Sequence, residues 1–268
     1  MTGRRSWVRG RPDCPVSDHP APAEGVRTLG DLLVRERRAK GLALRALTPA
    51  GLDRTYSYRD ALTTAWKTGN FLRHLGVRGV GEAPEDRVST VEIAPDPLPE
   101  PVLTLLGAAG LGARTTFRPR AEGQARVTVV DVDAEDRYDP PPGSKLAVYG
   151  GAPTAPDVDH WEQEVWSENP RAHPAQVEPN DTVLVAGDTR HSHAAVLNAA
   201  RSVVEAAGLK PGDRVAVRGD LSDPRVVVAG VIAPLYAAAT VVLPDEEARG
   251  AYVVGDGPEE RRITLPRL

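Results

Sequence analysis

A single cysteine, Cys14, stands in this 268-residue chain, so no internal disulfide can form. It lies in a Pro-rich stretch that offers a thiol nucleophile no support. Aromatic residues are scarce, at 4%, which leaves Val, Leu and Ala to build the core. No apolar run approaches the roughly 20 residues that span a bilayer, so no membrane segment is expected. Arg4-Arg5 is not followed by an apolar stretch, so no export signal is read and the cytoplasm is the expected compartment. The net charge of −4 lacks the basic footprint that nucleic acid demands of its partners. Nowhere does a Gly-x-Gly-x-x-Gly, a Gly-Lys-Ser/Thr phosphate loop or a Gly-x-Ser-x-Gly elbow occur.

What is present is an internal repeat. Residues 56–117 and 191–243 follow one plan: a helix-period segment, a Gly stop at Gly76 or Gly208, and Asp-Arg-Val (Asp86-Arg87-Val88 and Asp213-Arg214-Val215). A Pro-led apolar segment from Pro101 or Pro224 follows, then a small-residue turn into a short strand. Ser57 with Asp60 is positioned to cap the first helix, and Ser192 the second. Leu62, Ala65, Trp66, Leu72 and Leu75 recur at helical spacing, as do Val196, Leu197, Ala200, Val203 and Val204. The strands predicted at residues 127–132, 146–149 and 183–186 are continuous apolar runs, which suits parallel sheets covered on both faces. The expected fold is α/β, with two similar lobes of mainly parallel sheet covered by helices.

The expected organisation is a disordered Pro/Arg-rich tail at 1–25, a first α/β lobe at 26–140 and a second at 141–268. The boundary falls at Pro140-Pro141-Pro142, between Tyr138 and Gly143. Residues 28–40, carrying Leu29, Leu32 and Leu33, read as a helix. Residues 42–47 and the Tyr56 region flank a turn at Pro49-Ala50-Gly51 and read as a hairpin. Strand-like pieces at 252–254 and 263–265 end the chain.

Residues 183–193 read as a strand, a short polar turn and a helix start. Ligands of α/β proteins bind where such elements converge, because free N–H groups at a helix N-terminus attract phosphate. An ordinary strand-to-helix connection explains the same residues at least as well. His191 and His193, two residues apart, diverge at a helix start and have no further ligands, so a metal is not expected. Glu162, Glu164 and Glu168 beside Trp161 and Trp166 read as a solvated helix face rather than a carboxylate pair.

The order of the parts resembles the N-terminal region of the adenylate-forming superfamily: acyl-CoA synthetases, nonribosomal peptide adenylation domains and luciferases. The resemblance rests on Tyr56-Ser57-Tyr58-Arg59-Asp60-Ala61-Leu62, Leu75-Gly76-Val77, Asp86-Arg87-Val88 and Leu105-Leu106-Gly107-Ala108-Ala109-Gly110. It continues with Trp161-Glu162, Pro179-Asn180-Asp181-Thr182, residues 191–197 and Leu209-Lys210-Pro211-Gly212-Asp213-Arg214-Val215. It covers about residues 28–245.

The resemblance implies a Ser/Thr/Gly-rich loop ending in Pro-Lys-Gly between strand and helix, wrapping the phosphates of ATP. Here only Gly187, Asp188, Thr189 and Arg190 separate Ala186 from His191. The family's later motifs and its C-terminal domain with the catalytic lysine are absent from the sequence as well. These departures imply a truncated, catalytically inactive relative, with Gly187, Asp188, Thr189, Arg190 and His193 as the remnant of the nucleotide site. Such a chain requires no cofactor and binds AMP or ATP weakly. It would serve as a regulatory or partner subunit, beside a complete acyl-CoA synthetase or in self-association. Two alternatives stay open: a ligase component active only with a partner chain, and a small-molecule binder on the same fold.

Overall fold

The computed structural model describes residues 18–47, 53–121, 123–243 and 250–268. Ser57 opens the first long helix as expected: its Oγ accepts from Asp60 N at 3.1 Å, and the helix α1 (Tyr58–His74) follows. Ahead of it, β1 (Leu42–Leu47) and β2 (Asp53–Ser57) pair as an antiparallel hairpin. The turn expected at residues 49–51 lies outside the described residues. After α1 come β3 (Thr90–Ile93), α2 (Pro99–Leu111), β4 (Arg114–Thr116), β5 (Val127–Asp131) and β6 (Lys145–Tyr149). A short β7 (Asp159–His160) and α3 (Trp161–Ser167) complete this half.

The second half repeats the series. β8 (Thr182–Ala186) and β9 (Thr189–Ser192) form an antiparallel hairpin, and Ser192 caps α4 (His193–Ala207) by accepting from Ala195 N at 3.2 Å. Then follow β10 (Arg214–Val217), α5 (Pro224–Val227), a π-turn at Val228–Ile232, α6 (Ala233–Ala237), β11 (Thr240–Leu243), β12 (Tyr252–Val254) and β13 (Arg261–Arg262). Pro234 lacks an N–H and its ring presses on the carbonyl four residues back, and the widened π-turn before it relieves that conflict.

The strands assemble into two sheets, ordered β7-β6-β5-β3-β4-β8-β9 and β13-β12-β10-β11-β1-β2. Apart from β7 the two orders correspond strand for strand, and the repeat is therefore structural. Its hairpins are exchanged, however. The hairpin that opens the first repeat edges the second repeat's sheet, with β1 parallel to β11. The hairpin that opens the second edges the first repeat's sheet, with β8 parallel to β4. Helices α2 and α5–α6 each touch strands of both sheets and are largely buried, Arg225 at the start of α5 excepted, as an apolar helix between two layers must be.

This exchange corrects the expected division at 26–140 and 141–268. β5 and β6, on either side of the Pro triplet, are parallel neighbours from Val127↔Lys145 to Asp131↔Tyr149. The prolines mark a loop within one sheet, and each sheet draws on both halves of the chain. The tail drawn at 1–25 also ends earlier. Residues 1–17 lie outside the described residues, but Ala23 N donates to Tyr236 O at 2.8 Å and Ala23 is buried. The His19 ring meets Ala238 O at 3.1 Å. Backbone hydrogen bonds dock this segment, and they leave no apolar periodicity to read.

The helix expected at 28–40 is two 3₁₀ turns, Leu29–Leu33 and Arg35–Arg37. Val34 between them is extended, and Arg37 is buried with its guanidinium donating to Ala21 O and Leu235 O. Leu29, Leu32 and Leu33 are buried as the periodicity required. In the first repeat Asp86-Arg87-Val88 precedes its strand, in a 3₁₀ turn at Glu85–Arg87, whereas Arg214 and Val215 lie within theirs. The last strand sits at Arg261–Arg262 rather than at 263–265.

Candidate functional site

The strand, turn and helix expected at residues 183–193 are a strand, a turn, a second strand and a helix. Ala186 pairs with Thr189, which leaves Gly187 and Asp188 as a two-residue turn, with Gly187 at φ +59°. Glycine at the first central position is what a tight hairpin of this kind asks for. Gly187, Asp188, Thr189 and Arg190 are all exposed on the tip and the adjoining edge strand. His193 is elsewhere. At about 3.4 Å per residue, β9 carries the chain roughly 14 Å from Thr189 to the first residue of α4. The five expected site residues are thus split between a solvated tip and a buried helix start, and they form no single phosphate cradle.

His193 has no exposed surface and accepts a hydrogen bond at Nδ1 from Leu29 N at 3.0 Å. The accepting Nδ1 places the proton on Nε2, which is buried without a partner. Burial lowers its pKa to about 4, against a smaller opposing pull from Asp181 and Asp31. The ring is neutral and ties the start of α4 to the first 3₁₀ turn. His191, in β9, is likewise buried, with its pKa lowered by burial. Among the described residues no group of three or more His, Cys, Asp or Glu is placed to hold a metal ion. No helix among them is long and apolar enough to cross a membrane.

Beside the hairpin tip lies a cavity of about 510 Å³ lined by Glu92, Thr116, Arg118, Arg120, Val185 and Gly187, among others. Glu92 is buried, and its carboxylate accepts from Arg120 N at 2.9 Å and Arg120 Nε at 3.3 Å. It therefore anchors the loop after β4. Arg118 reaches Ser222 O at 3.4 Å. These guanidiniums line the cavity, and Glu92 already balances that of Arg120.

A second polar group gathers at the carboxyl ends of β3, β5 and β6, the edge where open α/β sheets bind ligands. Arg54 of β2 pairs with Glu100 at the start of α2 and donates to Tyr56 Oη at 3.0 Å. Tyr149 donates to Asp96, and Glu162 accepts from Gly150 N at 2.7 Å. Burial, then the neighbouring Asp96, Asp131 and Glu100 carboxylates, push the Tyr149 phenol up. Sequence reasoning missed this group, although Asp131 ends an apolar strand and Asp96 and Gly150 closely follow two others. Glu162 and Glu168, expected on a solvated face, are partnered: Glu168 is paired with His74. Trp166 is exposed, with Lys67 over its ring.

No protein-family model matches the chain, and no curated protein sequence matches it either. Solved structures do. The anthranilate CoA ligase AuaEII, in complex with anthranoyl-AMP, superposes with a TM-score of 0.66 at 21% identity, over 81% of this chain and 45% of that one. An acyl-CoA synthetase from Brucella canis gives 0.64 at 16% identity, over 82% and 43%. The nonribosomal peptide synthetase FmoA3, bound to AMPPNP, gives 0.63 at 20%, over 84% and 23%. The chain has the adenylate-forming fold, as found in the N-terminal region of these enzymes, and spans less than half the length of each.

Proposed function

We propose that this protein is a non-adenylating chain on the adenylate-forming fold, acting as a regulatory or partner subunit. The observation that carries the reading is the two-residue turn at Gly187 and Asp188. Phosphate loops work by converging consecutive backbone N–H groups on one anion. A two-residue turn between paired strands has too few to offer. Transfer at phosphorus also depends on positioned cations, because charge spreads over the phosphoryl oxygens in the transition state. Arg190 projects from an edge strand on a fixed backbone, and no lysine occurs between Thr182 and Ser192.

On this reading the chain needs no cofactor, and AMP or ATP docks weakly at the exposed tip. Its partner is a complete acyl-CoA synthetase or a second copy of itself. Acyl-dependent pyrophosphate exchange tests the reading. The isolated chain is expected to show none, and to alter the exchange rate of a synthetase mixed with it. Exchange by the isolated chain would contradict the proposal. Exchange that appears only in the mixture, and is lost when Arg190 is replaced, would favour a ligase component that borrows its missing groups.

A further inference from the structure

Between α1, α2 and the 3₁₀ turn at Leu29–Leu33 lies a cleft of about 390 Å³. Its walls are the 3₁₀ turn at Leu29–Leu33, α1, α2 and residues 172–177, which pass over them. The size lies within the range of small-molecule sites, roughly 300–1,000 Å³. Trp66 forms one wall, with its Nε1 satisfied by Leu33 O at 2.8 Å and the Arg38 guanidinium over its ring at 5.7 Å. Asp31 is occupied by Arg27 N and Thr28 N, at 2.7 and 2.8 Å, and His173 is turned to Glu82 at 3.1 Å. Val34, which is 40% exposed, lies at the mouth with Arg35 and Glu36, whose charges are likewise on the exposed rim.

The cleft is kept open by missing side chains, and for two different reasons. A Cβ on Gly107 would stand 2.8 Å from Gly69 N and 2.9 Å from Ala65 O, so the crossing of α1 and α2 requires that glycine. Gly30 is under no such demand. A Cβ there would meet only Thr28 Oγ1 at 3.5 Å and Gly110 Cα at 3.7 Å, both in ordinary contact, and Gly30 is not among the glycines with positive φ. Alanine at such a position stabilises a protein by narrowing the unfolded ensemble. Glycine at 30 forgoes that gain, and what it preserves is the space above Gly110, inside the cleft.

We propose that this cleft binds an uncharged, largely apolar small molecule, an aromatic ring or short alkyl chain lying against Trp66 between Gly30 and Gly110. The proposal does not depend on the hairpin tip. The exposed edge at Val34 gives access, and the overlying segment is held to α1 at exposed groups. Asn70 Nδ2 donates to Asn169 O at 2.8 Å and Arg171 O at 2.9 Å, and Lys67 Nζ donates to Trp166 O at 2.5 Å.

The test uses N-phenyl-1-naphthylamine, an uncharged fluorophore, titrated into the full chain. Saturable one-to-one enhancement is expected. Gly30→Ala should raise the melting temperature and weaken the probe severalfold. Gly30→Leu, which fills the cleft, should weaken it at least tenfold. Should Gly30→Leu fail to fold, Val34→Asp at the exposed mouth serves in its place, with the same direction of effect. No saturable enhancement in the parent chain, or parental affinity in folded Gly30→Leu or Val34→Asp, overturns the proposal.

Discussion

The hairpins β1–β2 and β8–β9 join the helix that follows them in the same way. Each has one irregularity at the same place, between Leu42 and Leu44 in one and between Thr182 and Leu184 in the other. Each ends in a serine that caps the next helix, and each docks the following two N–H groups on carbonyls ahead of its first strand. These bonds are Tyr58 N to Gly41 O and Arg59 N to Ala39 O, against His193 N to Asp181 O and Ala194 N to Pro179 O. The residue after the cap differs. Tyr58 reaches across to Ala239 O at 2.7 Å, whereas His193 accepts from Leu29 N. The backbone plan is duplicated, and the polar groups that lock each copy to the rest of the molecule are particular to it.

The largest effects should come from those locks. Tyr58→Ala removes a fully buried ring and is expected to cost about 3–5 kcal/mol, read as a fall in the urea midpoint. His193→Ala leaves Leu29 N without its acceptor and is expected to cost about 2–3 kcal/mol. A negligible loss at either position would mean that the hairpins hold without them.

Acid separates the two copies more sharply. His193 has a folded pKa of about 4 against roughly 6.5 when unfolded. A lowered folded pKa means that the unfolded chain takes up the proton first. Its contribution is therefore complete above pH 6.5 and is lost as pH falls toward 4, up to about 3 kcal/mol. Tyr58, whose phenol burial pushes up, adds nothing in that window. In His193→Asn, which keeps an acceptor for Leu29 N, the part of the acid sensitivity due to this ring should disappear. An unchanged pH profile would assign the sensitivity to carboxylates.

The caps should behave alike, since Ser57 and Ser192 occupy equivalent places. Ser57→Ala and Ser192→Ala are each expected to cost about 1 kcal/mol and to add in the double variant. Strong non-additivity would show that the two hairpins are coupled. The smallest effect concerns the residues that end the central helices. Gly112 and Ala238 both adopt left-handed backbone, at φ +72° and +60°. Ala238→Gly should relieve strain and gain about 0.5–1 kcal/mol, while Gly112→Ala should lose at least as much, since its Cβ would strike Val80. Thermal melts of the pair read both signs.

Much of this was legible in the residues. The α/β class, the serine caps, the glycine stops and the duplication follow from periodicity and turn chemistry, which act within a few residues. The exchange of hairpins was not legible, because strand pairing between β1 and β11, or β4 and β8, is decided by packing across the molecule. The same limit applied at Pro140-Pro141-Pro142, where a loop inside one sheet carries the composition of a linker. At the candidate site the short connection was visible as a deletion. That β9 would form within it and separate Arg190 from His193 was not, since Thr189-Arg190-His191-Ser192 alternates too weakly to mark a strand.

Calorimetric titration of the full chain with ATP and magnesium tests the central claim, that the two-residue turn cannot cradle a triphosphate. The account predicts no heat of binding at micromolar concentrations and the same trace for Arg190→Ala. Micromolar binding by the parent chain that vanishes in Arg190→Ala would contradict it, and would make the hairpin tip a working nucleotide site.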